Sequence, residues 1–236
     1  MRIFFFFLGF CLPVSLTAQE FNEDSLLIYG KSLEIHDEDI LVSNRASGGA
    51  LYAAYGILDG NHSRYFSNPF MLGFDMDIHH ANLLIQLEGL LGFNKVKQSM
   101  FFDNGFEWKE NKFVLSVAGG VNVGYTMLDS KNFLAAPVAG LGVQLMTSTL
   151  FGENYNIENE PFLPYYKLGF IIDIKPAIFM DEHVRINNKD HYYTSLRIGF
   201  GLNMPLGNSI YNEYYHGSMV YFSIGMAALY REYFLR

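Results

Sequence analysis

The chain has 236 residues, 24 of them acidic against 16 basic, and a formal net charge of −8. That balance lacks the basic footprint of a nucleic-acid binder, and a single cysteine, Cys11, excludes a disulfide framework. Beyond residue 19 no apolar run reaches the length of a membrane-spanning helix. Aromatics at 17% with 22 glycines direct attention to strands instead.

Residues 1–19 read as a secretory signal. Arg2 supplies the positive start, Ile3 to Leu12 the apolar stretch, and Ser15 to Gln19 a small-residue cleavage site after Ala18 or Gln19. The apolar run is too short for an anchor and Pro13 interrupts it. Lipid attachment at Cys11 is disfavoured because Phe10 stands where a small residue belongs. Removing this segment takes Arg2 with it, leaving 15 basic against 24 acidic residues and a net charge of −9. Residues 20–45 are acidic and poorly patterned, with Glu34, Asp37, Glu38 and Asp39 close together. They read as a periplasmic N-terminal segment, with an arm, a lid and plain disorder all open.

From residue 46 the chain follows a period of two. The segment 46–58 alternates weakly. In 70–79, Phe70, Leu72, Phe74, Met76 and Ile78 oppose Gly73, Asp75 and Asp77. In 82–93, Leu83, Ile85, Leu87, Leu91 and Phe93 oppose Asn82, Gln86 and Glu88. In 113–126, Phe113, Leu115, Val117, Val121, Val123 and Tyr125 oppose Ser116, Ala118, Gly120, Asn122, Gly124 and Thr126. The segment 133–146 is apolar or small on both faces, and 164–176 continues the rhythm. The alternation is clearest in 192–204, where Leu196, Ile198, Phe200 and Leu202 oppose Arg197, Gly199, Gly201 and Asn203. It is equally clear in 217–230, where Val220, Phe222, Ile224 and Met226 oppose Tyr221, Ser223, Gly225 and Ala227. One face suits lipid and the other is small, polar or charged, the division of a transmembrane barrel. The predicted fold is all-β: an eight-stranded antiparallel up-and-down transmembrane β-barrel over 46–230, with 231–236 as a tail.

The links alternate in length. Those near His80–Ala81 and Met127–Asn132 are short, whereas 59–69, 94–112, 147–163 and 206–216 are long, matching short periplasmic turns and longer outer loops. The link 177–191 breaks this rule, as either an elaborated turn or an error of register.

The inward faces carry Asp75, Asp77, Glu88, Lys167, Asp173 and Arg197. A narrow interior must pair such charges, so they are expected to form a polar network in the lumen. Arg197 is its expected hub, because a guanidinium can serve two carboxylates. An ion path or buried proton site is the less favoured reading. Phe101, Phe102, Phe106 and Trp108 cluster in the second long loop, as a partner-binding tip, the loop's own packing or an interface anchor.

With these features in hand, the chain resembles small outer-membrane β-barrel proteins of Bacteroidota type, similar in architecture to the OmpX and OmpA barrels. The resemblance covers about residues 46–230. It is carried by the Phe-rich start ending in Ala18-Gln19, strands such as Leu196–Leu202, and an aromatic-closed final strand. It implies a barrel-assembly signal at Ser223, Gly225, Ala228 and Tyr230, and hence passage through the assembly machinery.

Three constellations bear on chemistry. His216-Gly217-Ser218 resembles the His-x-Ser of lipid A deacylases, but no later strand offers an orienting carboxylate. His79-His80, with Asp77, reads as a solvated turn. His183 and His191, with Asp181, Glu182 and Asp190 nearby, fall short of a metal site. The expectation is therefore a non-enzymatic barrel of the cell outer membrane without cofactor or metal. Its partners are outer-membrane lipid, the assembly machinery and an envelope protein, and its role is structural, interaction or within an envelope complex. The alternatives are a lipid-modifying enzyme and a soluble lipocalin-like barrel. The latter inverts the polarity seen at 192–204 and would carry a Gly-x-Trp that is missing here.

Overall fold

The structure, a computed structural model, describes residues 40–101, 107–130, 132–147, 162–175, 190–206 and 212–235. The elements are β1 (Ile40–Leu58), α1 (Gly60–Tyr65), β2 (Phe70–His80), β3 (Leu83–Lys95), β4 (Met100–Phe101), β5 (Glu107–Trp108) and β6 (Phe113–Tyr125). They continue with β7 (Leu128–Asp129), β8 (Phe133–Thr147), β9 (Phe162–Ile174), β10 (Asp190–Pro205), α2 (Asn212–Tyr215) and β11 (Met219–Leu235).

Among the described residues, eight long strands pair antiparallel in chain order: β1, β2, β3, β6, β8, β9, β10 and β11. β11 then pairs with β1 from Leu58↔Met219 back to Ile40↔Leu235 and closes the ring. The chain is thus an eight-stranded antiparallel up-and-down barrel. Closure satisfies the backbone polar groups that an open sheet would leave at its edges.

The strand positions follow the alternation. Leu72, Ile78, Leu83, Ile85, Leu87, Leu91, Val121, Val123, Phe200, Val220, Phe222 and Ile224 are exposed on the outside. Their neighbours Met71, Asp75, Asp77, Leu84, Gln86, Glu88, Asn122, Arg197, Tyr221 and Ser223 are buried inside. At the long-loop end Tyr55, Phe70 and Phe93 stand in register on three adjacent strands, and at the short-turn end Tyr125 and Phe133 are exposed. From Leu83 to Phe93 a strand tilted at ~40° rises ~26 Å, close to the apolar band of a membrane barrel.

Both ends of the barrel extend beyond the expected 46–230. β1 begins at Ile40, not 46, and β11 continues through the expected tail to Leu235, pairing with β1 across a register shift between Val42 and Ala46. Paired backbone on a neighbouring strand, which side-chain pattern does not report, sustains these ends. β10 pairs with β9 from Leu196↔Ile174 to Pro205↔Tyr165. The 192–204 alternation thus keeps its inward and outward faces with no error of register; of the expected 177–191 link, Asp190 and His191 already belong to β10, and residues 177–189 lie outside the described residues.

Inside, tyrosine and glycine are matched across strands. Tyr52 opposes Gly73, Tyr165 opposes Gly142, and Tyr221 opposes Gly201. A Cβ added to any of these glycines would run into the opposing tyrosine. The rings thereby fill a lumen only wide enough for side chains. Gly201→Val is expected to displace Tyr221 and cost about 1–3 kcal/mol by overpacking, read as a lower urea midpoint in detergent micelles. An unchanged midpoint would show that the ring is not held there.

Candidate functional site: a charged lumen under an apolar cap

Inward positions of the barrel bring charge to the middle of the lumen. The Arg197 guanidinium on β10 donates through Nε and Nη2 to both oxygens of Asp173 on β9, at 2.7 and 2.8 Å. Its Nη1 meets Asp75 at 2.9 Å and Asp77 at 2.6 Å, both on β2. Lys167 Nζ on β9 lies 2.6 Å from both oxygens of Glu88 on β3 and 4.9 Å from the centroid of the Tyr221 ring on β11. All six charged side chains are buried.

Amides join the two groups. Gln86 Nε2 donates to Asp77 Oδ1 at 3.0 Å, and Asn122 Nδ2 donates to Gln86 Oε1 at 2.9 Å and Glu88 Oε2 at 3.2 Å. The Tyr52 hydroxyl donates to Glu88 Oε1 at 2.7 Å. The network therefore draws on β1, β2, β3, β6, β9, β10 and β11. β8 supplies the small, apolar face it needs: a Cβ on Gly140 would strike Asn122. Four carboxylates meet two cations, and neutral donors from Gln86, Asn122 and Tyr52 serve the acid surplus.

The six inward charges named from sequence all lie in this network, with Arg197 contacting three carboxylates. Tyr52, Gln86, Asn122 and Tyr221 were not singled out. The alternation puts Gln86, Asn122 and Tyr221 on the inward face, and their polarity is the sequence signal for them. His79, read from sequence as part of a solvated turn, is buried beside this column, whereas His80 is exposed. Period two carries the β2 face that holds Asp75 and Asp77 through to His79.

The long-loop mouth is closed by a second feature. Leu58, Phe66, Val96, Met100, Trp108, Val114, Met146, Leu163 and Tyr215 form one buried apolar cluster. Phe66 stacks on Tyr215 at 5.5 Å and meets Trp108 edge-on at 6.0 Å. α1 and α2 are tied across the mouth by His62 N donating to His216 O at 3.2 Å and Asn61 Nδ2 donating to Glu213 O at 2.9 Å. Gly217, at φ +152°, brings its backbone against Asp59. Trp108 is thus cap packing and not an exposed partner tip; Phe101 is exposed at 67%, while Phe102 and Phe106 lie outside the described residues.

Among the described residues the interior includes two small cavities. One of about 30 Å³ borders Tyr52, Glu88, Lys167, Arg197 and Tyr221. Another of about 50 Å³ lies under the cap, lined by residues including His62, Asn94, Tyr165 and Asn203. His62 Nε2, Asn94 Oδ1, the Tyr165 hydroxyl and Asn203 Oδ1 have no protein hydrogen-bond partner, so this space suits a few waters. Neither cavity is a passage for solutes.

The other candidates do not assemble. His216 is exposed, and no hydrogen bond joins it to Ser218 or to a carboxylate among the described residues. Asp181, Glu182 and His183 lie outside the described residues, Asp190 and His191 begin β10, and no three potential metal ligands converge among the described residues. Ser223 and Gly225 point inward on β11, Ala228 is exposed and Tyr230 half-buried.

No protein-family model matches the sequence, and no curated protein matches it. Solved structures with a similar course include Neisserial surface protein A, at 12% identity and a TM-score of 0.40, covering 81% of this chain and 98% of that one. The N-terminal β-barrel domain of Pseudomonas aeruginosa OprF follows at 8% and 0.35, covering 80% and 99%. Ail, the attachment invasion locus protein of Yersinia pestis, stands at 11% and 0.34, covering 80% and 99%. The barrel assignment for this chain rests on its own strand pairing.

Two outcomes follow from this geometry. Arg197→Met leaves three carboxylates without their cation and is expected to cost about 3–5 kcal/mol, measured by urea unfolding in micelles. A midpoint equal to the parent's would remove Arg197 as hub. In the cap, burial pushes the His62 imidazole down from 6.5 to about 4. The unfolded chain therefore takes up a proton that the folded cap refuses. Stability present above pH 6.5 should fall between pH 6.5 and 4, and His62→Phe should flatten that part of the profile.

Proposed function

We propose that the protein is a non-enzymatic β-barrel of a bacterial outer membrane with a structural or interaction role in the cell envelope. One observation carries the reading: an apolar outer band encloses a lumen filled by paired charge and closed by an apolar cap. A barrel with this polarity is suited to lipid outside and polar packing inside, and its filled interior leaves no route for solutes. Residues 1–19 would act as the export signal. Ser223, Gly225, Ala228 and Tyr230 would serve the assembly machinery, and the kinship with Bacteroidota-type barrels belongs to this same proposal. Activity then resides on the loop surface, where Phe101 is an exposed aromatic available to an envelope partner.

The enzyme reading is not favoured, because among the described residues no hydrogen bond joins His216 to Ser218 or to an orienting acid. The lipocalin reading would require an apolar interior, and this one holds four carboxylates.

Fractionation should place the protein in the outer membrane with boiling-dependent gel mobility, and reconstitution in planar bilayers should show no stable unitary conductance. Leu87→Arg, in the middle of the outward band, should cost about 2–4 kcal/mol in lipid vesicles. A soluble, monomeric protein indifferent to Leu87→Arg would sink the proposal, and a persistent open channel would overturn its filled-lumen basis.

A further inference from the structure

On β3 the outward column Leu83, Ile85, Leu87, Leu91 and Phe93 ends at Lys95, where the apolar band stops. Lys95 is exposed and holds its Nζ 4.6 Å from the centroid of the Phe113 ring, a side chain that is itself 62% exposed on the outer face. Above it the backbone gathers more cations. Val96 N donates to Lys112 O at 2.9 Å, Lys97 N to Tyr65 O at 2.7 Å, and Lys112 N to Lys109 O at 3.2 Å. Lys97 Nζ donates to Ser63 O at 2.7 Å, beside Arg64 on α1.

Arg64, Lys95, Lys97, Lys109 and Lys112 thus share one sector of the rim in a chain whose overall charge is −8. The contrast in pairing is informative. The buried cations Lys167, Lys175 and Arg197 all hold carboxylates. Among the described residues none of the five rim cations has a carboxylate within ion-pair distance, although Glu107 and Glu110 lie on the same hairpin. An acid-rich chain whose described carboxylates leave this group of cations unpaired has a surface suited to external anions.

We propose that this sector binds the phosphorylated headgroup of a lipid in the leaflet at the long-loop end. The position favours lipid over a soluble acidic partner. Lys95 stands at the end of the lipid-facing column and over an outward aromatic, the level at which long basic side chains reach headgroups while aromatics rest in the interface. Ammonium groups serve phosphate as point charges, and several in one sector suit a headgroup with more than one phosphate. The inference rests on the membrane reading above.

The test uses the full-length protein folded in mixed micelles and in vesicles. Bisphosphorylated lipid A is the anionic probe, phosphatidylcholine the uncharged-headgroup control, and a heparin fragment the soluble polyanion; bound probe is counted by native mass spectrometry. The parent should retain lipid A in preference to phosphatidylcholine. Lys95→Gln/Lys97→Gln/Lys112→Gln should lose that preference by at least about tenfold while keeping boiling-dependent mobility. If the triple variant does not fold, Lys95→Gln and the salt dependence of the parent's preference provide the same readout, both expected to weaken it.

Insertion into vesicles with equal retention of the two lipids, or with a preference that the variants and salt leave untouched, overturns the headgroup site and leaves the membrane reading standing. Equal, lysine-dependent capture of heparin without lipid overturns it in favour of a soluble anionic partner. Failure to insert into vesicles overturns the membrane reading and this inference together.

Discussion

Arg197 and its three carboxylates express the constraint under which the rest of this molecule is built. Eight strands enclose a space only wide enough for side chains, and polar inward positions placed there have little water to turn to. A buried charge lacking a partner costs several kcal/mol. Each inward acid must therefore meet a cation or a neutral donor, and the barrel must hold those groups at hydrogen-bonding distance. Asp173 does so from the adjacent strand, at a position directly paired with Arg197. Asp75 and Asp77 reach it across the lumen from β2.

The remaining interior conforms to that arrangement. Small residues on β8 make room for Asn122, and each lumen tyrosine lies over the glycine opposite it. Glycine weakens an ordinary strand; here it gives the aromatic ring its place, so the cost in one strand is offset by packing between two. The apolar cap completes the filling. It takes residues from the ends of four barrel strands and from the segments between them, joining loops distant in sequence into one small core.

This division has a consequence for function. Lumen and cap are occupied by their own side chains, so the surfaces free to act are the outer band, the rim and the exposed loop residues. The charge distribution sharpens the contrast. Inside, cations are outnumbered by acids and engaged with them, whereas among the described residues none of the five rim cations has a carboxylate within ion-pair distance.

The alternation of 192–204 and 217–230 determined most of the fold, because a period of two assigns every residue of a strand to a face without reference to its partners. The same rule placed Asp75, Asp77, Glu88, Lys167, Asp173 and Arg197 inside, so the membership of the charged network was legible in the sequence. Which acids meet which cation was not, since that depends on strand stagger around the closed barrel. Gln86 and Asn122 as connectors follow from the same stagger. Trp108 shows the other limit. Its loop has no period to read, and its burial arises only when α1, α2 and the β4–β5 hairpin converge over the mouth. Local pattern thus decided inside from outside, while tertiary structure decided the partners, because contact across a lumen is set by closure and not by spacing along the chain.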